Sequence, residues 1–219
     1  MTSREKILGN IQTALKSSGS QKIIKPDFSQ NPYLHTEELM EVIFAENFKK
    51  HKGDFFYCEN LETFLLSLET LVQSKNLNEL WVSEDYPQQL LQFAQIKYQD
   101  ASPIPTQLQA SLSLCELLVA RTGSVLVSSH QKSLPALSMQ ASTHIILAFT
   151  SQLVHHLHEA LEIILHKYAN NLPSQLSLIT GPSITQVFDK SWMCGAQGPE
   201  ELVLFLVDDI IEDDPNTNP

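Results

Sequence analysis

Leu178-Ile179-Thr180-Gly181-Pro182-Ser183-Ile184-Thr185, then Gly195-Ala196-Gln197-Gly198-Pro199-Glu200, then Leu202-Val203-Leu204-Phe205-Leu206-Val207 is the stretch whose reading decides the fold. It reads as strand, tight turn, short helix, second turn, buried strand. Gly181 and Pro182 punctuate the first strand. Ser183 is placed either to cap the backbone N–H groups that follow or to donate to a bound anion. Gly195 and Gly198 allow sharp turns or a close approach. The run from Leu202 to Val207 is apolar without alternation, as expected of a strand buried on both faces.

Working outward, strands and helices alternate from residue 55 to 208. Phe55-Phe56-Tyr57 reads as a strand and Asn60 as the cap of a helix carrying Leu61, Phe64, Leu65, Leu68, Leu71 and Val72. Leu80-Trp81-Val82 is a strand, and Pro87 suits the first turn of the next helix. Residues 99 to 111 look like a loop. Leu112 to Ala120 is either strand, turn and strand, or one buried helix. Val125 to Val127 and His144 to Phe149 are strands, and a long helix is expected over 151 to 170. The alternation predicts an α/β fold: a mostly parallel sheet with helices on both faces. Ligands in such sheets sit beyond the carboxyl ends of the strands. Residues 1–52 read as an N-terminal helical arm, with one amphipathic helix over 3–17 and another over 36–50. Residues 53–210 read as the α/β domain and 211–219 as an acidic flexible tail.

The chain has 219 residues and a formal net charge of -11. No basic run is present to displace counterions, so nucleic acid is not expected as a partner. An anionic ligand has to be held by local N–H groups rather than by the global field. No apolar run approaches the roughly 20 residues a membrane helix needs, and a cytoplasmic, membrane-free protein is expected. Cys58, Cys115 and Cys194 match no zinc or iron–sulfur spacing.

Two hydroxyl–glycine groups are the candidate ligand-binding residues. Thr122-Gly123-Ser124 is a simple turn or a donor-rich turn for a carboxylate or phosphate oxygen. Gly181, Pro182, Ser183 and Thr185 form the second group. His144 is a general base in a cleft or a histidine satisfied by local backbone. His130 with Lys132 binds an anion or lies in an exposed loop. His155, His158, Glu159, Glu162 and His166 share one face of the expected long helix, opposite Leu153, Leu157, Ala160, Leu161, Ile164 and Tyr168. That face reads as solvated rather than metal-binding, and no metal site is expected. No G-x-S-x-G elbow, Walker loop or dinucleotide fingerprint is present, and no catalytic residue is assigned.

Arg4-Glu5-Lys6-Ile7-Leu8, Thr122-Gly123-Ser124, Ser151-Gln152-Leu153-Val154, Ile179-Thr180-Gly181-Pro182-Ser183 and Gly195 with Gly198-Pro199 together resemble the LUD-domain family, in its lactate-utilisation branch. The resemblance runs in order along nearly the whole chain. It implies a three-layer α/β/α fold of the NagB/RpiA/CoA-transferase type. It also implies a role in oxidising L-lactate to pyruvate beside partner subunits that hold the iron–sulfur clusters, with no intrinsic cofactor here. The chain departs from the family pattern at Ile184, Val187 and Gln197, where arginine, aspartate and histidine are usual, and at Arg121, where an acid is usual. A fixed cation, a carboxylate and an imidazole are thereby lost from one region.

Two functional expectations follow. In one, Thr122, Ser124, Ser183 and Thr185 donate to a small organic acid or a cofactor, Gly123, Gly181, Pro182 and Gly198 shape the turn, and Gln197 orients the ligand. In the other, the chain is a non-catalytic interaction protein that keeps the fold and uses an apolar patch or a homodimer built with the N-terminal helices.

Overall fold

The computed structural model of the protein describes residues 3–17, 38–100, 108–132, 137, 139–186, 192–195 and 198–209. Two units separate at Glu37/Glu38. The first contains helix α1 (Ser3–Ser17), whose apolar side chains Ile7, Leu8 and Ile11 are exposed. The second is the α/β unit. Helix α2 (Met40–Lys50), grouped with the arm on sequence grounds, belongs to this unit. Its Phe44 and Phe48 are fully buried in the unit's core. The expected acidic tail at 211–219 lies outside the described residues.

The centre is a six-stranded sheet, all parallel, in the order β1-β12-β7-β4-β2-β3. Its strands are β1 (Asp54–Cys58), β2 (Leu80–Val82), β3 (Gln99–Asp100), β4 (Leu108–Leu114), β7 (Ala141–Phe149) and β12 (Glu201–Val207). β4 begins inside the segment read as a loop, because Gln109, Ser111 and Ser113 broke its apolar pattern. β12 lies between β1 and β7, which explains its unbroken apolar run: Leu204 pairs with Phe55 on one side and Ile146 on the other.

One face is covered by α3 (Leu61–Ser74) and α4 (Asp85–Phe93). Asn60 caps α3 as expected, its side chain accepting from Thr63 N at 2.9 Å. Phe64 meets Phe205 edge-on at 5.3 Å between ring centroids. Leu68, Leu71 and Leu91 pack with Val82, Leu112, Ile145 and Val203.

The other face is covered by α2 and by a second sheet, which the sequence did not reveal. This sheet has the order β8-β5-β6-β9 and contains β5 (Leu117–Val119), β6 (Ser124–Ser128), β8 (Leu153–Val154) and β9 (Leu176–Ile179). Leu112 to Ala120 therefore takes the strand-turn-strand form. The expected long helix is shorter: Thr150–Gln152 is a 3₁₀ turn, Leu153 and Val154 are strand, and α5 spans Leu157–Lys167. Its Ala160 and Ile164 pack on Leu117, Val119 and Leu126, while Leu157 and Leu161, read as buried, are exposed. No helix follows Gly181-Pro182-Ser183. Instead β10 (Ile184–Gln186) pairs antiparallel with β11 (Trp192–Cys194).

The Thr122-Gly123-Ser124 turn is the seat of α2. Gly123 adopts a left-handed φ of 58°, and a β-carbon there would overlap the backbone of Asn47 and Phe48. The Asn47 amide donates to Ala120 O at 3.1 Å and to Arg121 O at 3.0 Å. Gly181, at φ 75°, is seated the same way against the carbonyl of His51. Both glycines thus let the C-terminal turn of α2 approach the second sheet at backbone distance.

Gly123→Ala is expected to cost on the order of 3 kcal/mol, combining left-handed strain with a backbone overlap that no rotamer relieves. Gly9→Ala in α1, where a β-carbon meets nothing, should be neutral or raise helicity. Urea unfolding with circular dichroism reads both.

Candidate functional site

Gly181, Ser183 and Gly198, singled out in sequence, come together at the amino ends of the parallel strands, not at their carboxyl ends. Ser183 N donates to Pro199 O at 2.8 Å, and Gly195 N donates to Ser183 O at 2.9 Å, so the two glycine turns lie against each other just before β12. Glu200 N donates to Ser142 O at 2.9 Å and ties them to the start of β7. The chain enters β12 from these turns, which is why they cannot sit at its carboxyl end.

A cavity of about 260 Å³ opens there, lined by Met139, His144, Ile179, Thr180, Gly181, Ser183, Gly198 and Pro199. His144 is fully buried. Its Nε2 is 2.7 Å from Ser113 Oγ, whereas its Nδ1 has no partner among the described residues. Ser111, the ladder partner of His144 on β4, is also fully buried with an unpartnered Oγ. Burial lowers the His144 pKa to about 4, so the imidazole is neutral. Buried polar atoms are almost always paired, so two without a described partner on adjacent strands, one of them on the cavity wall, single out this region as the candidate site for a polar ligand. A polar groove of about 560 Å³, lined by Gln109, Gln140, Ser142 and Glu200, shares Met139 and Gly198 with the cavity.

The predicted residues divide accordingly. Gly181, Ser183 and Gly198 line the cavity. Ser124 stands behind it, its Oγ 2.7 Å from Thr180 Oγ1. Gly123 serves α2. Thr122 is exposed, its hydroxyl 3.5 Å from Val119 O, and Thr185 is exposed on β10. Pro182 is half-buried and does not line the cavity. Gln197 and Val187 lie outside the described residues. Ser183 caps no helix, because a strand follows it. His130 and Lys132 are engaged within the chain: His130 Nε2 lies 2.7 Å from Asn171 O, and Lys132 binds both carboxylate oxygens of Asp85 at 2.7 Å.

The carboxyl ends carry a second polar cluster that sequence reasoning missed. Glu84 follows β2 and Glu116 lies between β4 and β5; both are buried. Glu84 Oε2 accepts from Leu114 N at 2.7 Å. Burial raises its pKa to about 7 against the hydrogen bonds from Leu114 and Gln131. Burial also pushes Glu116 upward, but bonds from Lys167, Ser128 and Tyr168 at 2.8, 2.6 and 2.9 Å outweigh it and hold the carboxyl below its usual range. The signal was the placement of each glutamate just after an apolar strand. It was weak because the partners Ser128, Lys167 and Tyr168 are distant in sequence. No group of three or more metal-ligating side chains occurs among the described residues. No helix among them is long and apolar enough to cross a membrane.

The family model of the LUD domain matches residues 41–207. The chain belongs to the LUD-domain family. A DUF162 family protein from Deinococcus radiodurans, solved as a crystal structure, shares the LUD fold seen here with a TM-score of 0.58 at 16% identity, covering 77% of this chain and 96% of that one. An uncharacterised protein of Neisseria meningitidis serogroup B (strain ATCC BAA-335 / MC58) is 30% identical over 102 residues, 47% of this chain. The match spans less than half of that relative, 43% of its length. A ribose-5-phosphate isomerase in complex with phospho-erythronic acid also aligns, with a TM-score of 0.31 at 14% identity over 62% of this chain and 67% of its own. The LUD match begins at α2 and ends with β12, so it takes in the α2 seat, the cavity and both glutamates.

Because the folded-state pKa of Glu84 is raised, its contribution to stability is present below about pH 4.5 and is lost as pH rises through about 7. Glu84→Gln should keep the bond from Leu114 and remove this loss. The variant is expected to gain roughly 2–3 kcal/mol on the wild type at pH 8 relative to pH 4.5. The difference between the two urea-unfolding curves across pH isolates this group from the opposing titration of His144.

Proposed function

We propose that this chain is a lactate utilisation protein C-like subunit that holds a small 2-hydroxy or 2-oxo acid in the His144 cavity, and that electrons pass to iron–sulfur partner subunits. LUD-domain membership supports the setting, since the family includes lactate utilisation proteins. The observation that carries the reading is the buried, neutral His144, with Ser113 on Nε2 and no partner on Nδ1 among the described residues, facing a cavity lined by the hydroxyl residues Thr180 and Ser183. At about 260 Å³ the space falls just below the ~300–1,000 Å³ of pockets for larger ligands, and suits an acid of few atoms.

In this reading the carboxylate lies against His144 Nδ1 and accepts from the Ser183 and Thr180 hydroxyls. Ser113 keeps the ring in one orientation. The chain's own part is recognition and desolvation of the acid, and a negative total charge does not prevent this because the donors are local. An anion beside a neutral imidazole raises its pKa, so binding takes up a proton. The amide at Gln197 belongs to the same proposal as an orienting group.

Calorimetry with L-lactate and pyruvate tests the reading. Binding is expected to tighten as pH falls from 8 toward 5.5, with proton uptake visible as a buffer-dependent heat. Ser183→Ala should weaken it by about five- to tenfold through loss of one charge-assisted hydrogen bond. His144→Asn should remove the pH dependence. No heat with either acid across this range would overturn the proposal.

A further inference from the structure

We propose that two copies of this chain associate through the β9 edge of the second sheet, pairing β9 with β9 antiparallel across a two-fold axis. β9 is the outermost strand of that sheet, bonded to β6 on one side only among the described residues. Exposed sheet edges are normally blunted by lysine, proline, a bulge or a covering element. Among the described residues β9 has none of these: its sequence is Leu176-Ser177-Leu178-Ile179, and its register with β6 is regular over all four residues. An edge of alternating N–H and C=O groups is self-complementary under a two-fold, which gives an isologous interface.

Charge selects a second copy as the occupant. The chain carries a net charge of -11, so most of its surface repels its own kind. From Tyr168 to Phe188 there is no Asp, Glu, Lys, Arg or His, although 18% of the whole chain is charged. The β9 edge lies in the middle of that neutral stretch. It is a place where two identical acidic molecules meet without like charges opposed, and it offers no charge to recruit a different partner.

The side chains agree with the backbone. Leu178 pairs with Leu126, which packs under α5, so Leu178 and Leu176 lie on the α5 face of the sheet. They are 41% and 39% exposed. Leu157, Leu161 and Leu165 form an exposed stripe at four-residue spacing on α5, the helix that packs on β5 and β8 of that face. A standard interface takes roughly 800 Å² from each partner, a little over half of it apolar. Edge pairing would bring Leu176 and Leu178 into the apolar part of such an interface. β9 also leads directly into Thr180 and Gly181 of the cavity wall, so the pairing would brace that turn from outside.

Light scattering after size exclusion at tens of micromolar protein tests the proposal. The wild type is expected at twice the mass of one chain. Leu176→Lys and Leu178→Lys should each convert it to monomer with unchanged circular dichroism, since both side chains are already partly in solvent. Two results would overturn the proposal: a monomeric wild type, or a dimer that survives both lysine variants, in which case Ile7→Glu with Ile11→Glu tests α1 as the contact. The mass is read without ligand, so the outcome stands apart from the lactate experiment.

Discussion

Leu202 to Val207 presents apolar side chains to both faces of a parallel sheet, and each face has to be shielded from water. α3 and α4 shield one face with Phe64, Leu68, Leu71 and Leu91. The opposite face is wider than one eleven-residue helix can cover, and α2 shares it with the second sheet. Phe44 and Phe48 fill the gap between them and the strands. That arrangement works only if α2 comes down to backbone contact, which is the constraint met at Gly123, Gly181 and Asn47. Glycines that resemble a ligand cradle in sequence thus have a packing duty.

The same layering places a polar pocket inside the molecule. β4 and β7 put Ser111, Ser113 and His144 on the face turned toward the second sheet. Further along these strands that face is sealed by Ile146, Ala148 and Leu118. At the amino ends the glycine turns before β10 and β12 leave space instead. A titratable ring with one nitrogen engaged and the other without a partner among the described residues is thereby held in a low-dielectric wall. At the other end of the sheet Glu84 and Glu116 are buried under different partners, and their proton affinities are driven apart.

Much of this was legible in the chain. The parallel core was readable from Phe55-Phe56-Tyr57, Leu80-Trp81-Val82, His144 to Phe149 and Leu202 to Val207, because burial on both faces demands unbroken apolar runs. The α3 cap at Asn60 was readable because capping is local. Gly181, Ser183 and Gly198 were found because their spacing stands out, and they do share one cavity. The glycine turns were expected beyond the carboxyl ends of the strands and lie at the amino ends of the parallel strands, because connectivity, not spacing, decides which strand a turn leads into. The hairpin after Ser183 was read as a helix because Ile184-Thr185-Gln186 is too short for its period to show. Leu153 and Val154 were absorbed into a helix because two strand residues carry no pattern of their own.

The sequence by itself determined the LUD family, the α/β class, the strand-helix alternation and the residues that make up the glycine turns, since each rests on local periodicity, capping or order along the chain. Only the tertiary structure decided that Thr122-Gly123-Ser124 seats a helix, that no described residue partners His144 Nδ1, that Glu84 and Glu116 are buried with Lys167 reaching Glu116 from the surface, and that β9 is an edge strand among the described residues. Each of these depends on partners many residues away, and distance in space is the quantity a linear pattern does not carry.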